Sequence, residues 1–183
     1  MRSMFLSVCA LLYATAGIAA ESTQDGLADL RWMEGEWRGI GEGDQGTSGS
    51  ERHIDSYLGN KYIRATGRSV YPKQDKNPKG EVYSQLNLSS FDRARGAIVM
   101  REFDTLGFTC TYVLDKAASA PDRWVLVGES LENVPKGWKA RYVVTRKSDD
   151  EYHEMLELDP DGKGFKPYVT NRFLKVPSPN SSQ

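Results

Sequence analysis

Side chains alternate with a period of two along residues 35–43, where Trp37 and the glycines share one parity. Glu36, Arg38 and Glu42 take the other parity. This period indicates a β-strand, because successive side chains of a strand point to opposite faces. A row of glycines on one face indicates tight coiling or space for another group. We predict an opening strand whose Trp37 closes one end of a barrel and whose glycines border a cavity; a glycine-rich loop and an ordinary edge strand are the alternatives.

The same alternation continues as short runs separated by Gly, Pro, Asn and Asp turn signals. The predicted strands are residues 35–43, 50–57, 61–71, 81–91, 97–103, 108–114, 124–131, 138–146, 151–158 and 165–176, with residues 44–49 as a turn-rich break. Consecutive strands with short turns favour a meander, and closure removes exposed edges. We therefore predict an all-β fold, an antiparallel up-and-down β-barrel of about ten strands with a cavity. A two-sheet sandwich is the alternative.

The segment before the first strand predicts a helix. Leu27, Leu30 and Met33 are spaced by three, as in a short helical turn. Because this segment leads directly into the opening strand, we predict a short N-terminal helix that caps one end of the barrel. The predicted organisation is a signal peptide (1–20), an N-terminal segment with the capping helix (21–34), the barrel (35–176) and a loose polar tail (177–183).

The first twenty residues have the composition of a secretory signal. Arg2 precedes an apolar run over residues 4–16, and small residues follow as far as Ala20. We expect cleavage after Ala20, or after Ala19, and export to the periplasm or the extracellular space. No second apolar run approaches eighteen residues, so no stable membrane insertion is predicted.

Composition limits the possible partners. The chain has 24 basic and 25 acidic residues, and removing residues 1–20 takes away Arg2 alone, which leaves a formal charge of −2. A near-neutral chain without basic clusters argues against nucleic acid as a partner. Only Cys110 remains after cleavage, so no intramolecular disulfide can form. Its apolar neighbours indicate a packed or cavity-lining residue rather than a nucleophile.

Patterns for metal binding and nucleophilic catalysis fail on spacing. The stretch 153–157 resembles a zinc-protease motif but ends in Glu157 and has the alternation of a strand. The stretch 159–164 starts like a calcium loop but places Lys163 at a ligand position, so a hairpin turn explains it better. The sequence has no Gly-x-Ser-x-Gly elbow, and its two histidines are far apart. We predict no metal site and no catalytic residue.

Two regions carry a family resemblance. The Gly35-Glu36-Trp37 stretch, with Arg172 in the last strand, resembles the calycin signature of lipocalins, fatty-acid-binding proteins and nitrobindin-like haem-binding barrels. The resemblance implies that Trp37 lies across the closed end and that Arg172 packs on its ring, a contact of roughly 0.5–2 kcal/mol. Residues 129–141, 150–154 and 166–168 are similar to an uncharacterised bacterial family of calycin-like proteins, and this resemblance implies a fold more than an activity.

The haem-binding branch of that superfamily holds iron through a histidine near the end of its barrel. The last predicted strand, 165–176, has no histidine, and neither His53 nor His153 matches that position. The sequence therefore argues against haem, and no cofactor is predicted.

Strand parity gives candidate ligand contacts. If Trp37 and Arg172 point inward, then Tyr168 and Thr170 do too, and parity also groups Trp138, Ala140 and Tyr142 opposite Arg141. Arginines and tyrosines inside an apolar cavity would hold a carboxylate or phosphate by charge-assisted hydrogen bonds. The candidate ligand-binding residues are Tyr62, Arg64, Arg68, Arg101, Arg141, Tyr142 and Tyr168. The alternative is that these arginines coat the outside of the barrel.

These observations favour a non-catalytic, exported barrel that holds a small apolar or amphipathic molecule. A second hypothesis is an isomerase or hydrolase in the same cavity, with Glu129, Glu154 and Tyr168 as acid and base, since burial raises the pKa of a carboxyl group. A third is a packed structural or inhibitory scaffold whose surface carries the function. The sequence predicts no oligomeric state.

Overall fold

The computed structural model describes residues 25–177, which form a 3-10 helix and ten strands. The helix is Ala28–Met33, and the strands are β1 Gly35–Gly43, β2 Gly46–Tyr57, β3 Tyr62–Tyr71, β4 Glu81–Asp92, β5 Ala97–Asp104, β6 Thr109–Leu114, β7 Arg123–Glu132, β8 Lys139–Arg146, β9 Glu151–Asp159 and β10 Lys166–Lys175. The predicted signal peptide and nearly all of the predicted tail lie outside the described residues. Within 25–177, no helix has the length and apolar character needed to cross a membrane.

The ten strands form a closed antiparallel barrel, which confirms the predicted architecture. Each strand pairs with its neighbours in sequence, and β1 pairs with both β2 and β10. The expected break at 44–49 is wrong in extent, because β2 begins at Gly46 and only Asp44 and Gln45 lie between the strands. The small polar residues of 46–49 have turn-like composition, but their pairing with β1 makes them a strand.

The segment predicted as a short capping helix forms six residues of 3-10 helix, Ala28–Met33. Leu27 is buried in the core, and Trp32 and Met33 pack against it. Trp37, buried at the start of β1, donates its indole N–H to the Met33 carbonyl oxygen at 2.7 Å. The helix therefore lies against the barrel end at which β1 begins.

Five aromatic rings fill this end, and we call them the closed-end cluster: Trp32, Trp37, Trp124, Tyr152 and Phe173. The Tyr152 ring centroid lies 4.7 Å from that of Trp37 and 5.0 Å from that of Phe173, and the Trp32 and Trp124 centroids are 5.6 Å apart. Edge-to-face and offset stacked rings at these distances add stability beyond the area that they bury. The cluster seals the barrel beneath the 3-10 helix.

The cation on Trp37 is Lys175, so the expected contact with Arg172 is wrong. Lys175 Nζ lies 5.1 Å from the Trp37 ring centroid, whereas Arg172 is exposed and donates two hydrogen bonds to Glu151, at 2.8 and 3.0 Å. Trp37 lies opposite Lys175 in the β1–β10 register, and directly opposed residues share a face. Arg172 has the other parity and points outward.

The glycines of β1 accommodate side chains from neighbouring strands. A Cβ atom at Gly39 would lie 2.7 Å from the Phe173 ring and 2.5 Å from the Arg172 carbonyl oxygen. At Gly41 it would overlap the Asn171 side chain and approach Ser48 Oγ to 2.6 Å. The expectation that the β1 glycines border the cavity is therefore corrected at Gly39 and Gly41, where Phe173 and Asn171 occupy the space beside the backbone.

We expect Gly39→Ala to destabilise the barrel by about 1–3 kcal/mol, the usual cost of overpacking, because neither the Arg172 carbonyl nor the Phe173 ring can move away freely. Gly49→Ala is the matched control, since a Cβ there meets nothing within 4 Å, and it should change stability by less than about 0.5 kcal/mol. Urea unfolding measures both variants. Equal stabilities for the two variants would contradict this account of β1.

Candidate functional site

The barrel contains a cavity of about 400 Å³. Its outer lining comes from the turns after β1, β5 and β7, including Gln45, Leu106 and Pro135. In an antiparallel barrel these turns lie at the end opposite the start of β1, so the cavity opens away from the closed-end cluster. Its volume falls within the roughly 300–1,000 Å³ typical of small-molecule sites.

Apolar side chains dominate one part of the lining. They are Leu106, Phe108, Leu131, Val134, Pro135, Trp138, Leu156, Leu158 and Val169. Leu156 and Leu158 share the inward parity of Tyr152 on β9. Strand β9 therefore contributes Tyr152 to the closed-end cluster and the two leucines to the cavity lining. This surface can bury the apolar part of a ligand.

A buried arginine, Arg52 on β2, lies in the polar part of the cavity and is 5% exposed. It fits because Gly67 is its register partner on β3, where any Cβ would overlap the guanidinium. Its Nη2 donates to Glu154 Oε2 at 3.3 Å, and its Cζ lies 5.1 Å from the Phe173 ring centroid. Among the described residues, its Nε and Nη1 have no hydrogen-bond partner.

Arg52 remains charged despite its burial. Burial disfavours the guanidinium ion and is the largest single effect, but the charge and hydrogen bond of Glu154, together with Tyr142 and Tyr152, outweigh it and raise the pKa of Arg52. An unpaired N–H group inside a protein is costly unless something accepts its hydrogen bond. Two unpaired N–H groups on one cavity-lining guanidinium make Arg52 a candidate partner for an acceptor atom.

Glu102 on β5 is the second buried ionisable group of the cavity, at 7% exposed. Asn87 lies opposite Glu102 in the β4–β5 register. When its side-chain amide is oriented so that both the oxygen and the nitrogen have hydrogen-bond partners, the nitrogen lies 3.2 Å from Glu102 Oε2. Burial raises the pKa of Glu102 from 4.5 to about 7; Arg52 opposes this rise, and the charges of Asp104 and Glu154 add to it. Glu102 therefore gains or loses its charge near neutral pH.

Phenols and a thiol complete the polar lining. Tyr83 donates its hydroxyl to Asp104 Oδ2 at 3.2 Å, and burial raises the pKa values of Tyr83 and Tyr142. Cys110 is buried and lines the cavity, and burial raises its pKa to about 11, so it stays a thiol at neutral pH. A group with so little thiolate is a poor nucleophile.

The four arginines proposed from the sequence point away from the cavity. Arg64 donates to Asp55 at 2.9 and 2.6 Å, and Arg141 donates to Glu157 at 2.5 Å. Arg68 and Arg101 are exposed, with the parity opposite to the inward residues of their strands. All four coat the outside of the barrel.

The three proposed tyrosines are divided between the two surfaces. Tyr142 and Tyr168 line the cavity, whereas Tyr62 lies in a groove on the outer surface beside Arg31 and Phe91. Parity with Arg172 does not explain the position of Tyr168, because Arg172 points outward. A register shift between Pro167 and Val169 brings Tyr168 to the cavity rim, where its hydroxyl lies 3.4 Å from Gln45 Nε2.

The proposed acid–base residues are also separated. Glu154 and Tyr168 line the cavity, but Glu129 is exposed and pairs with Arg95 at 2.9 Å. The glutamate that lines the cavity together with Glu154 is Glu102, not Glu129.

Neither histidine can ligate a haem held in the cavity. His53 Nδ1 lies 2.5 Å from Glu36 Oε1, and His153 Nε2 lies 3.0 Å from Glu151 Oε1, both on the outer face. In addition, no group of three or more His, Cys, Asp or Glu side chains within residues 25–177 is arranged to hold a metal ion. The residues present therefore do not fit a histidine-ligated haem.

Sequence reasoning did not find Arg52, Glu102 or Asp104. Both faces of β2 are polar, so hydrophobic periodicity does not distinguish the inward face. One signal was available: Ser48, Ser50, Arg52 and Ile54 are spaced by two. This spacing puts small side chains and one arginine on the same face as a core isoleucine. The fit of Arg52 against Gly67 depends on the β2–β3 register, which the sequence does not show.

No family model matches the sequence, and no curated protein matches it. Among solved structures, the chain is similar to Rv2717c from M. tuberculosis, with a TM-score of 0.60 and 16% identity over 83% of this chain and 98% of that one. A second solved structure, EF1p2_mFAP2b bound to DFHBI, has a TM-score of 0.37 and 12% identity over 81% of this chain and 97% of that one. The first similarity supports the fold alone, and the second structure superposes too poorly to indicate a shared fold. These comparisons assign the chain to no family.

We expect Glu102→Gln to remove a pH-dependent loss of stability. Because the pKa of Glu102 is higher in the folded state, the folded protein binds more protons between about pH 4.5 and 7, and its stability falls as pH rises through that window. Relative to the parent, the variant should gain on the order of 3 kcal/mol between pH 4.5 and 8. Urea unfolding across this range measures it, with Glu129→Gln as the exposed control. A gain as large for the control would refute the assignment.

Proposed function

We propose that this protein is an exported barrel that binds a small amphipathic molecule in its cavity. The observation that carries the proposal is Arg52, a buried cation with two unpartnered N–H groups in a cavity with an apolar lining. An acceptor atom on the ligand would satisfy those groups, and the apolar part of the ligand would cover the leucine-rich lining. A charge-assisted hydrogen bond to such a site contributes roughly 1.5–3 kcal/mol.

Arg52 is suited to fix the orientation of a ligand. Glu154 and the Phe173 ring hold its guanidinium at one position, so little side-chain freedom is lost when a ligand binds. The Arg52–Glu154 ion pair itself does not explain the site, because a buried ion pair often adds little net stability compared with apolar side chains of similar size. A role in binding accounts for a charged pair at this position.

The same cavity weighs against a packed scaffold, because a fully packed interior leaves no space of about 400 Å³. Catalysis remains the second candidate, and the specific observation in its favour is Glu102. A buried carboxyl with a pKa of about 7 can both give and accept a proton at neutral pH. In that case Glu102, and not Glu129, would be the acid–base residue.

Export is part of the proposal and rests on the sequence of residues 1–20. The charged start, the apolar run and the small residues before Glu21 have the arrangement of a processing signal. The mature protein would then act in the periplasm or outside the cell.

Native mass spectrometry of the protein purified from its export compartment should show a stoichiometric extra mass that denaturation releases. The paired substitution Arg52→Gln with Glu154→Gln removes the donor while leaving no buried charge unpaired, and it should weaken binding of the released molecule roughly 10- to 100-fold. Arg68→Gln, on the outer face, is the control and should bind normally. Unchanged binding by the paired variant would disprove the role of Arg52.

We expect the protein isolated from bacterial cells to begin at Glu21, or at Ala20, in the exported fraction. Replacing Leu11 and Leu12 by arginine interrupts the apolar run and should keep the full-length chain in the cytoplasm. Intact mass and N-terminal sequencing of fractionated cells test this. A full-length parent chain in the cytoplasm would contradict export without affecting the binding proposal.

A further inference from the structure

The charge of the cavity lining restricts the chemistry of its ligand; this inference rests on the proposed binding function. Four carboxyl groups line the cavity, from Glu81, Glu102, Asp104 and Glu154. Arg52 is the only basic residue in that lining within the described chain. Since Glu154 is already paired with Arg52, the remaining acidic groups are Glu81, Glu102, which is charged above about pH 7, and Asp104, which accepts hydrogen bonds from Tyr83 and from two backbone N–H groups of its own turn.

This excess of acidic groups disfavours the carboxylate or phosphate head group expected from the sequence. An anion that reached Arg52 would share a low-dielectric space with Glu154 and would add to the negative field of Glu102 and Asp104. Like charges brought together in such surroundings repel strongly, and this repulsion works against binding. The acceptor that satisfies Arg52 is therefore better supplied by an uncharged oxygen.

A positive group on the ligand would relieve the same field. The charged and titratable groups around Glu102 come from five strands, one of which is its own strand β5. They are Arg52 on β2, Tyr83 on β4, Asp104 on β5, Cys110 and Tyr112 on β6, and Glu154 on β9. Of these, only Arg52 is positive. A cationic nitrogen beside Glu102 and Asp104 would donate to carboxylate oxygens and balance their charge.

We infer that the polar end of the ligand joins an uncharged hydrogen-bond acceptor, which binds Arg52, to a cationic nitrogen, which binds at Glu102 and Asp104. The ligand class is an amino alcohol or a related amine with an apolar body. The acidic lining alone would not identify such a site; the buried Arg52, with its unpartnered Nε and Nη1, supplies the second and independent requirement. Together the two features select a head group with both functions.

Four probes that each carry a phenyl ring on a chain of two or three carbons separate these requirements. Phenylalaninol carries a hydroxyl acceptor and an ammonium group, 3-phenylpropan-1-ol carries the acceptor alone, 2-phenylethylamine carries the ammonium alone, and 3-phenylpropanoate is an anion. Binding is measured by calorimetry at pH 8, where Glu102 is mostly ionised. The sample is the complete mature protein, unfolded and refolded to remove co-purified molecules. We expect phenylalaninol to bind at least tenfold more tightly than either single-function probe, and 3-phenylpropanoate to bind most weakly.

A matched pair of variants tests the residues. Glu102→Gln keeps the shape of the side chain and removes its charge, so it should bring the affinity for phenylalaninol to within threefold of that for 3-phenylpropan-1-ol while leaving the latter affinity unchanged. Glu129→Gln, on the outer face, should preserve the full preference. A preference retained in Glu102→Gln would overturn the assignment of that residue as the cation partner.

The outcomes also distinguish this inference from the proposed function. If 3-phenylpropanoate binds most tightly, the barrel is a binding protein but the inference about charge is wrong. If none of the four probes binds, and native mass spectrometry also shows a bare chain, both the inference and the binding function are overturned. Tight binding of phenylalaninol that is lost in Glu102→Gln supports both.

Discussion

The hydrogen-bonded pairing of β1 with β10 is the constraint on which the rest of this structure depends. It joins the first strand to the last, so that all ten strands have two neighbours and no edge is left open. It also sets the inward face of β10, because Trp37 must lie opposite Lys175 and Gly39 opposite Phe173. Once that register is fixed, Phe173 enters the closed-end cluster and Asn171 lines the cavity. One pairing thus positions parts of both the core and the site.

Glycine serves two purposes in this barrel, and both concern a neighbouring side chain. At Gly39 and Gly41 the absence of a Cβ lets Phe173 and Asn171 lie across β1. At Gly67 it lets the guanidinium of Arg52 lie across β3. The first case allows the closed end to pack, and the second allows a charged side chain to occupy the interior. Both depend on residues far apart in sequence that become register partners only in the closed sheet.

The sequence was sufficient for the architecture and insufficient for the site, for a physical reason. Alternation and turn residues gave the bounds of β1 at Gly35 and Gly43 and the number of strands, because each is a local property of the chain. The inward face of β10 is wrong because it followed from the family resemblance that pairs Arg172 with Trp37, and the adjacent apolar residues Phe173 and Leu174 give no periodicity that would correct it. Arg52 was missed because β2 carries polar residues on both faces. Which polar face is buried depends on pairing with distant strands, and a single sequence does not contain that information in readable form.

The two ends of the barrel are built from different parts of the chain. Rings from β1, β7, β9, β10 and the 3-10 helix pack the closed end, whereas the cavity mouth is formed largely by the turns after β1, β5 and β7. Insertions or substitutions in those turns therefore alter the entrance without disturbing the packed end that stabilises the chain. Evolution, or an engineer, can change what enters such a barrel by varying short, separate segments while the folding core stays constant.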